Sequence, residues 1–241
     1  MKKIGLSDLK RYYDEVYYDS DAVHSRQVGD YKVFLDYLHP GKGSWLLDVS
    51  CGTGLLLEAA EIHYDCHLCG MDLSERAIFA ARERQHSWNL QVANSEALPY
   101  KDGSFDYITN IGSLEHYLDP GKGLDELIRV CRPGGKLCIV LPNYYYLLNI
   151  LHAFWKGDHL KGHHQINERL EPFQGWLRFL SRDELSIEKV YQDKGPKQPP
   201  VFQYKKPSKI LKRLIKRLLL FVMPKNLTYQ FVFICRRKNS S

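Results

Sequence analysis

The chain has 241 residues, of which 44% are hydrophobic and 26% charged, enough to bury the core of one α/β domain and too apolar for a disordered chain. Its six cysteines sit mostly inside apolar runs such as 136–140 and 231–235, which reads as small core residues in a reducing compartment and excludes a disulfide scaffold. The net charge of +6 hides an asymmetry: from Gly195 onward there are twelve Lys/Arg and no Asp/Glu, leaving 22 basic against 28 acidic residues in the first 194.

Residues 1–8 carry no apolar stretch ahead of a small-residue cleavage site. No run reaches the ~20 apolar residues that cross a bilayer, so the expectation is a cytoplasmic protein. The Tyr-rich stretch 12–18 and the segment 31–38 have helical patterning and predict an N-terminal cap, residues 1–43, lying over a cleft. Short apolar runs then alternate with helix-like stretches, which predicts βαβ units and a mainly parallel sheet. Strands are expected at 45–49, 67–72, 90–94, 105–111 and 136–141. Helices fit at 55–62, at 75–85 behind a Ser74 cap, and at 123–131 before the turn Arg132-Pro-Gly-Gly135. Cys66 and Cys69 form a C-x-x-C inside a strand, which points them to opposite faces and predicts no metal site.

After the core, residues 44–142, the pattern changes. The stretch 143–180 is rich in aromatics and His and is expected to carry substrate contacts. Core packing or a lid is the simpler reading for Tyr144, Tyr145, Tyr146 and Trp155, with stacking on a substrate ring as the alternative. His163 and His164 read as solvated loop residues. Two late strands, 185–191 and 228–235, complete the sheet within the last segment, 181–241. Between them lies a basic amphipathic helix, 208–221, which predicts either peripheral contact with an anionic membrane or packing on the sheet.

The strongest local pattern is a strand followed by Asp48-x-Ser50-x-Gly52-x-Gly54, a helix, and Asp72 at the end of the next strand. Glycines allow a tight turn and close backbone approach to a ligand, and an acid at that strand end can accept hydrogen bonds from both ribose hydroxyls. A dinucleotide fold shares this logic. Two details separate them. Leu57 stands where the third fingerprint glycine would be, and Asp48 places an anion where a diphosphate would lie, which suits a ligand carrying an ammonium and a sulfonium.

The blocks Leu46-Leu-Asp-Val-Ser-Cys-Gly-Thr-Gly54, Gly70-Met-Asp-Leu-Ser74, Ala93-Asn-Ser-Glu-Ala-Leu-Pro99, Asp102-Gly-Ser-Phe-Asp106, Ser113-Leu-Glu-His116 and Arg132-Pro-Gly-Gly-Lys136 follow one another in order. Together they resemble the class I S-adenosylmethionine-dependent methyltransferases, in the small-molecule, type 11-like subgroup. The resemblance implies a Rossmann-like, doubly wound α/β fold in a single domain: a seven-stranded, mainly parallel sheet with an antiparallel last strand. The implied cofactor is S-adenosyl-L-methionine. Asp48 and the backbone at Ser50, Gly52 and Gly54 would hold its methionine end. Asp72 would take the ribose hydroxyls, with Met71 and Leu73 flanking the adenine. Asn94 and Ser95 would meet the adenine amino group, and Asn110 and Ile111 would bring a carbonyl to the ammonium. Ser50 stands for the family's first loop glycine, and Asn94 for an acid. A serine fits that place if its backbone angle is negative.

His116 lies beyond the fourth strand, where open α/β sheets present ligands, and its chemistry suits a general base; an orienting role is the alternative. Asp72 also suits a helix-capping acid. The expected acceptor is a small or carrier-linked molecule, a hydroxyl of a glycan-type substrate, because the ending 227–238 resembles methyltransferases of bacterial surface-glycan assembly. A polyprenyl-quinone or lipid acceptor is the alternative. A non-catalytic module docking on membrane or nucleic acid is the alternative of another class. Nucleic acid is not the expected partner, because Asn110-Ile-Gly-Ser113 replaces the Asn-Pro-Pro-Tyr type signature of base-amino methyltransferases.

Overall fold

Seven strands form one sheet in the order β3-β2-β1-β4-β5-β7-β6. The structure, a computed structural model, describes residues 4–17, 26–158, 167–193 and 223–239. The expected helix 208–221 and the pair His163 and His164 lie outside the described residues.

The strands are β1 (Ser44–Val49), β2 (Cys66–Asp72), β3 (Asn89–Val92), β4 (Phe105–Ile111), β5 (Cys131–Pro142), β6 (Leu185–Asp193) and β7 (Gln230–Arg237). The first five are parallel, and β7 lies antiparallel between β5 and β6. The sheet is buried on both faces, as its apolar strands require. In β1, Leu47 packs with Ile108 and Leu137 on one side; its neighbour Leu46 packs with Leu57 and Val140 on the other. The same alternation sends Leu137, Ile139 and Leu141 of β5 one way and Cys138 and Val140 the other.

The helices are α1 (Leu6–Tyr12), α2 (Val28–Leu38), α3 (Leu55–His63), α4 (Glu75–Arg84), α5 (Pro120–Val130), α6 (Leu147–Lys156) and α7 (Phe173–Leu180). Ser74 caps α4 as expected, its Oγ accepting from the Ala77 N–H at 3.1 Å. Helix α5 starts three residues earlier than the pattern predicted. Asp119 accepts from the Lys122 N–H and Pro120 takes the first helical position, which together start a helix there. The expected turn 132–135 instead falls within β5. Gly135 lets that backbone run against β4, since a Cβ there would stand 2.8 Å from the Asp106 carbonyl oxygen. The cap helix begins at Leu6 and continues as a π-type turn, Tyr13–Tyr17.

Strands β1 and β4 are neighbours although two strands separate them in the chain, so connections leave β1 and β4 in opposite directions and open a crevice at their carboxyl ends. No helix among the described residues is long and apolar enough to cross a membrane. Cys66 is half-buried and Cys69 buried, and no group of three or more metal-suited side chains occurs among the described residues.

Candidate cofactor and active site

The crevice is lined by the loop after β1, the ends of β2 and β3, the turn after β4, and the N-terminal cap. Asp48 is buried on β1, and its Oδ1 accepts a hydrogen bond from Thr109 Oγ1 of β4 at 2.6 Å. Burial outweighs that bond and pushes the carboxyl up to about 7. The loop then turns through three left-handed residues, Ser50 (φ 62), Gly52 (φ 54) and Gly54 (φ 80). Ser50 therefore does not meet the condition of a negative angle. The hydroxyl accounts for the tolerance: Ser50 Oγ lies 2.9 Å from Tyr117 Oη and 3.2 Å from Ser95 Oγ, bonds that offset the left-handed strain.

Asp72 ends β2. Its Oδ2 accepts the Gly52 N–H and its Oδ1 the Ser74 N–H, both at 2.9 Å, so one carboxylate ties the cofactor loop to the start of α4. Burial raises it to about 6. The helix-capping and ligand-facing readings of Asp72 coexist here, because each oxygen keeps a second lone-pair direction and the residue lines the crevice. Leu73, Asn94, Ser95 and Ile111 also line it. Asn94 Oδ1 accepts from the Glu96 N–H at 3.0 Å, which turns the chain after β3 and places Glu96 on the wall.

Two expected contacts lie behind the wall rather than on it. Gly54 does not line the crevice; a Cβ there would stand 2.5 Å from the Trp88 ring, so its glycine serves packing. The Asn110 side chain is fully buried, donating to the Val49 carbonyl at 3.2 Å and to Tyr117 Oη at 2.7 Å while accepting from the Leu114 N–H. It braces the turn that carries Ile111 and His116.

His116 lines the crevice and is only 5% exposed. Its Nδ1 is 2.6 Å from the Asn167 carbonyl oxygen, which can only accept, so the proton sits on Nδ1 and Nε2 keeps a bare lone pair. Burial lowers its pKa to about 4, so the ring is neutral at physiological pH. Next to it, the buried carboxyl of Glu115 is pushed up to about 8 by burial, and its Oε2 has no hydrogen-bond partner. Its Oε1 is 3.6 Å from His116 Nε2.

The cap closes the crevice with Leu9, Tyr13, Tyr17 and Tyr31. It is held down by Ser74 Oγ donating to Asp14 Oδ1 at 2.6 Å and by the ion pair of Lys10 with Glu75. Tyr13 and Tyr17 fall in the Tyr-rich stretch expected to lie over a cleft, but these tyrosines, Tyr117 and Glu115 were not among the expected site residues. The aromatic stretch after β5 is a correction in the other direction. Tyr144, Tyr145, Tyr146 and Trp155 do not line the crevice, and Trp155 packs in no core, being 77% exposed. Helix α7 fills the core there instead, with Trp176 fully buried and its Nε1 donating to the Pro142 carbonyl at 2.6 Å.

Residues 47–139, from β1 through β5, match the family model described as a methyltransferase domain. This segment is similar to methyltransferase domains. The chain is 37% identical over 106 residues to a demethylmenaquinone methyltransferase of Listeria welshimeri, covering 41% of this chain and 45% of the relative. It is 34% identical over 108 residues to the O-methyltransferase cnsE of Penicillium expansum, covering 42% of this chain and 39% of that protein. The chain thus spans less than half the length of these curated relatives. The methyltransferase fold extends beyond the matched segment. A chain of the complex between the Haloferax volcanii Trm112 methyltransferase activator and a methyltransferase superposes with a TM-score of 0.71 at 15% identity, over 97% of this chain and 99% of that one. Phosphoethanolamine N-methyltransferase 2 of Haemonchus contortus, solved with S-adenosyl-L-methionine, superposes with a TM-score of 0.67 at 16% identity, over 98% of this chain and 60% of that one.

Proposed function

We propose that the protein transfers the methyl group of S-adenosylmethionine to a ring carbon or hydroxyl of a hydroquinone-type acceptor, leaving S-adenosylhomocysteine. The observation that carries this reading is the polarity of the crevice. It holds two buried acids, Asp48 and Asp72, raised toward neutrality. It is also lined by Leu9, Tyr13, Tyr17 and the neutral His116. Two buried acids held above their ordinary range suit a ligand that brings its own positive charge. The glycine-turned loop between them leaves the backbone free to approach it.

S-adenosylmethionine, when bound, supplies an electrophilic methyl on a sulfonium. The protein's part is alignment, exclusion of water and management of one proton. Asp48 and Asp72 hold the cationic and ribose parts. The tyrosine cap covers the crevice and offers flat, weakly polar walls to an aromatic ring. A hydroquinone that gains a methyl at carbon or oxygen sheds one proton, and the bare Nε2 of His116 accepts it.

The wall chemistry favours this acceptor over the glycan hydroxyl expected from the chain's ending. A sugar presents many hydroxyls and calls for a dense set of polar partners, whereas the cap supplies rings and a leucine. The Listeria relative, a demethylmenaquinone methyltransferase, supports the same choice. Incubation with methyl-labelled S-adenosylmethionine and, in parallel, a demethylated naphthohydroquinone and extracted surface glycans tests it. Label on the hydroquinone is expected; label on the glycan alone would replace this acceptor.

A further inference from the structure

Glu115 and His116 are neighbours in the chain, and the 3₁₀ turn Leu114–His116 sets their side chains beside one another. The turn is gripped from several sides. Asn110 Oδ1 accepts the Leu114 N–H at 3.1 Å, Asn167 Nδ2 donates to the Tyr117 carbonyl at 2.7 Å, and the Arg169 N–H donates to the Glu115 carbonyl at 2.9 Å. Glu115 is 2% exposed, and its Oε2 is a buried oxygen with no partner. A buried carboxyl oxygen left unpaired disfavours folding, so its presence calls for a use.

Glu115 Oε1 lies 3.6 Å from Nε2 of His116, the nitrogen that keeps its lone pair, whereas Nδ1 is tied to the Asn167 carbonyl. The carboxyl therefore stands beside the atom that takes the acceptor's proton, not at the nitrogen where it would only orient the ring. The pair is unequal. Burial holds His116 down at about 4 and Glu115 up at about 8, with Glu168 adding to the rise and no cation among the described residues opposing it. A proton received at Nε2 thus runs downhill to the carboxylate. Tyr13 and Tyr17 of the cap and Tyr229 ahead of β7 also feel the carboxylate's charge. Burial raises all three above the ordinary tyrosine range, so they stay neutral where Glu115 titrates.

We propose that Glu115 is the proton-holding partner of His116, receiving through Nε2 the proton that the acceptor sheds on methylation. Glu115 does not line the crevice, so it is a positioning residue that acts through His116. For a hydroxyl acceptor, the O–H bond breaks and its electron pair forms the bond to the methyl carbon, whose former bonding pair stays with sulfur. The proton forms an N–H bond at Nε2 and then leaves it for the Glu115 carboxylate. Nε2 is bare again, and the carboxyl discharges its proton to solvent between turnovers. This rests on the proton-accepting role given to His116 in the proposed function and deepens it, because the ionised form of Glu115 is the one that starts a turnover.

The test reads the full chain in two ways. In spectra of isotope-labelled histidine, with the His116 signals assigned by their loss in His116→Gln, wild-type Nε2 should shift with a midpoint at about 8 while the ring stays neutral. Glu115→Gln should erase that inflection. At saturating cofactor and hydroquinone, wild-type turnover should climb as pH rises toward about 8 and then level off. Glu115→Gln should be flat and at least about tenfold slower at about pH 8.5, and Glu115→Asp should restore the climb. Wild-type affinity for S-adenosylhomocysteine certifies the fold of each variant. A wild-type His116 signal with no inflection near that pH, or a folded Glu115→Gln with the wild-type pH profile, would overturn the proposal. An inflection that Glu115→Gln erases, in a protein that methylates no hydroquinone, would uphold the pair and remove the acceptor.

Discussion

Tyr117 Oη stands 2.9 Å from Ser50 Oγ, joining residues 67 positions apart beneath the cofactor loop. One sense of donation serves the whole run: Asn110 Nδ2 to Tyr117, Tyr117 to Ser50, Ser50 to Ser95, and Ser95 to Met71 Sδ. The chain of bonds crosses from β4 to β2 and holds a serine in a backbone region that favours glycine. Ser50→Gly relieves the left-handed strain and gives up the hydroxyl, two effects of about 1 kcal/mol and opposite sign, so its stability should stay near wild type. Ser50→Ala keeps the strain and loses the bonds, and should unfold about 1 kcal/mol earlier in denaturant. Equal stability of the two variants would show that the hydroxyl does not hold the loop.

Asp48 and Asp72 stand at about 7 and about 6 because burial disfavours their anions. A ligand bearing an ammonium and a sulfonium favours those anions, so binding near neutral pH should expel protons. Affinity for S-adenosylmethionine should strengthen as pH rises from about 5.5 to about 8, and calorimetry in two buffers of different ionisation enthalpy should register proton release. Proton uptake, or an affinity flat across that range, would contradict this electrostatic account.

His116 is already neutral at physiological pH, with Nε2 free to accept. Its replacement by Ala should lower turnover by ~10²–10⁴ while leaving the cofactor dissociation constant unchanged. At saturating cofactor the wild-type rate should show no acid limb near 6.5, where an exposed histidine would place one. A loss of only a few-fold would leave alignment alone as the catalytic contribution.

Glu115 is held at about 8 against an ordinary 4.5, with burial as the main cause and Glu168 adding to it. The native state keeps a proton that the unfolded chain releases above about 4.5. The stability this contributes is complete below that pH and is lost as pH rises through about 8. Glu115→Gln removes the titration. Its melting temperature relative to wild type should therefore climb between about pH 5 and about pH 8.5, and parallel profiles would exclude a carboxyl with so raised a pKa.

Strand and helix positions were readable because the central strands are short apolar runs and each helix has a local start signal, such as Ser74 before α4. Where bounds slipped, the cause was a missed local signal, Asp119-Pro120 before α5, or a tertiary contact. The turn expected at 132–135 is drawn into β5 by the close approach of Gly135 to Asp106, which no local pattern announces. Spacing gathers Asp48, Gly52, Gly54 and Asp72 around one loop, but spacing does not tell wall from support. Gly54 proved to face Trp88, and Asn110 to face Val49 and Tyr117. Tyr13, Tyr17 and Tyr31 enter from the cap, whose contact with α4 joins Asp14 to Ser74 across 60 positions. The aromatic stretch after β5 reads as substrate wall because composition marks what a segment prefers to touch, not whether its side chains face the crevice.

The central claim is that the crevice between Asp48 and Asp72 binds S-adenosylmethionine. Calorimetric titration of the folded protein with S-adenosylmethionine and S-adenosylhomocysteine measures it directly, with Asp72→Ala as the paired variant. Binding of both at one site per chain is expected. The variant should be weaker by roughly tenfold to a hundredfold, the equivalent of ~1.5–3 kcal/mol for a hydrogen bond to a charged group. Folded wild-type protein that binds neither ligand would contradict the account, and an unchanged affinity in Asp72→Ala would contradict the role given to that carboxylate.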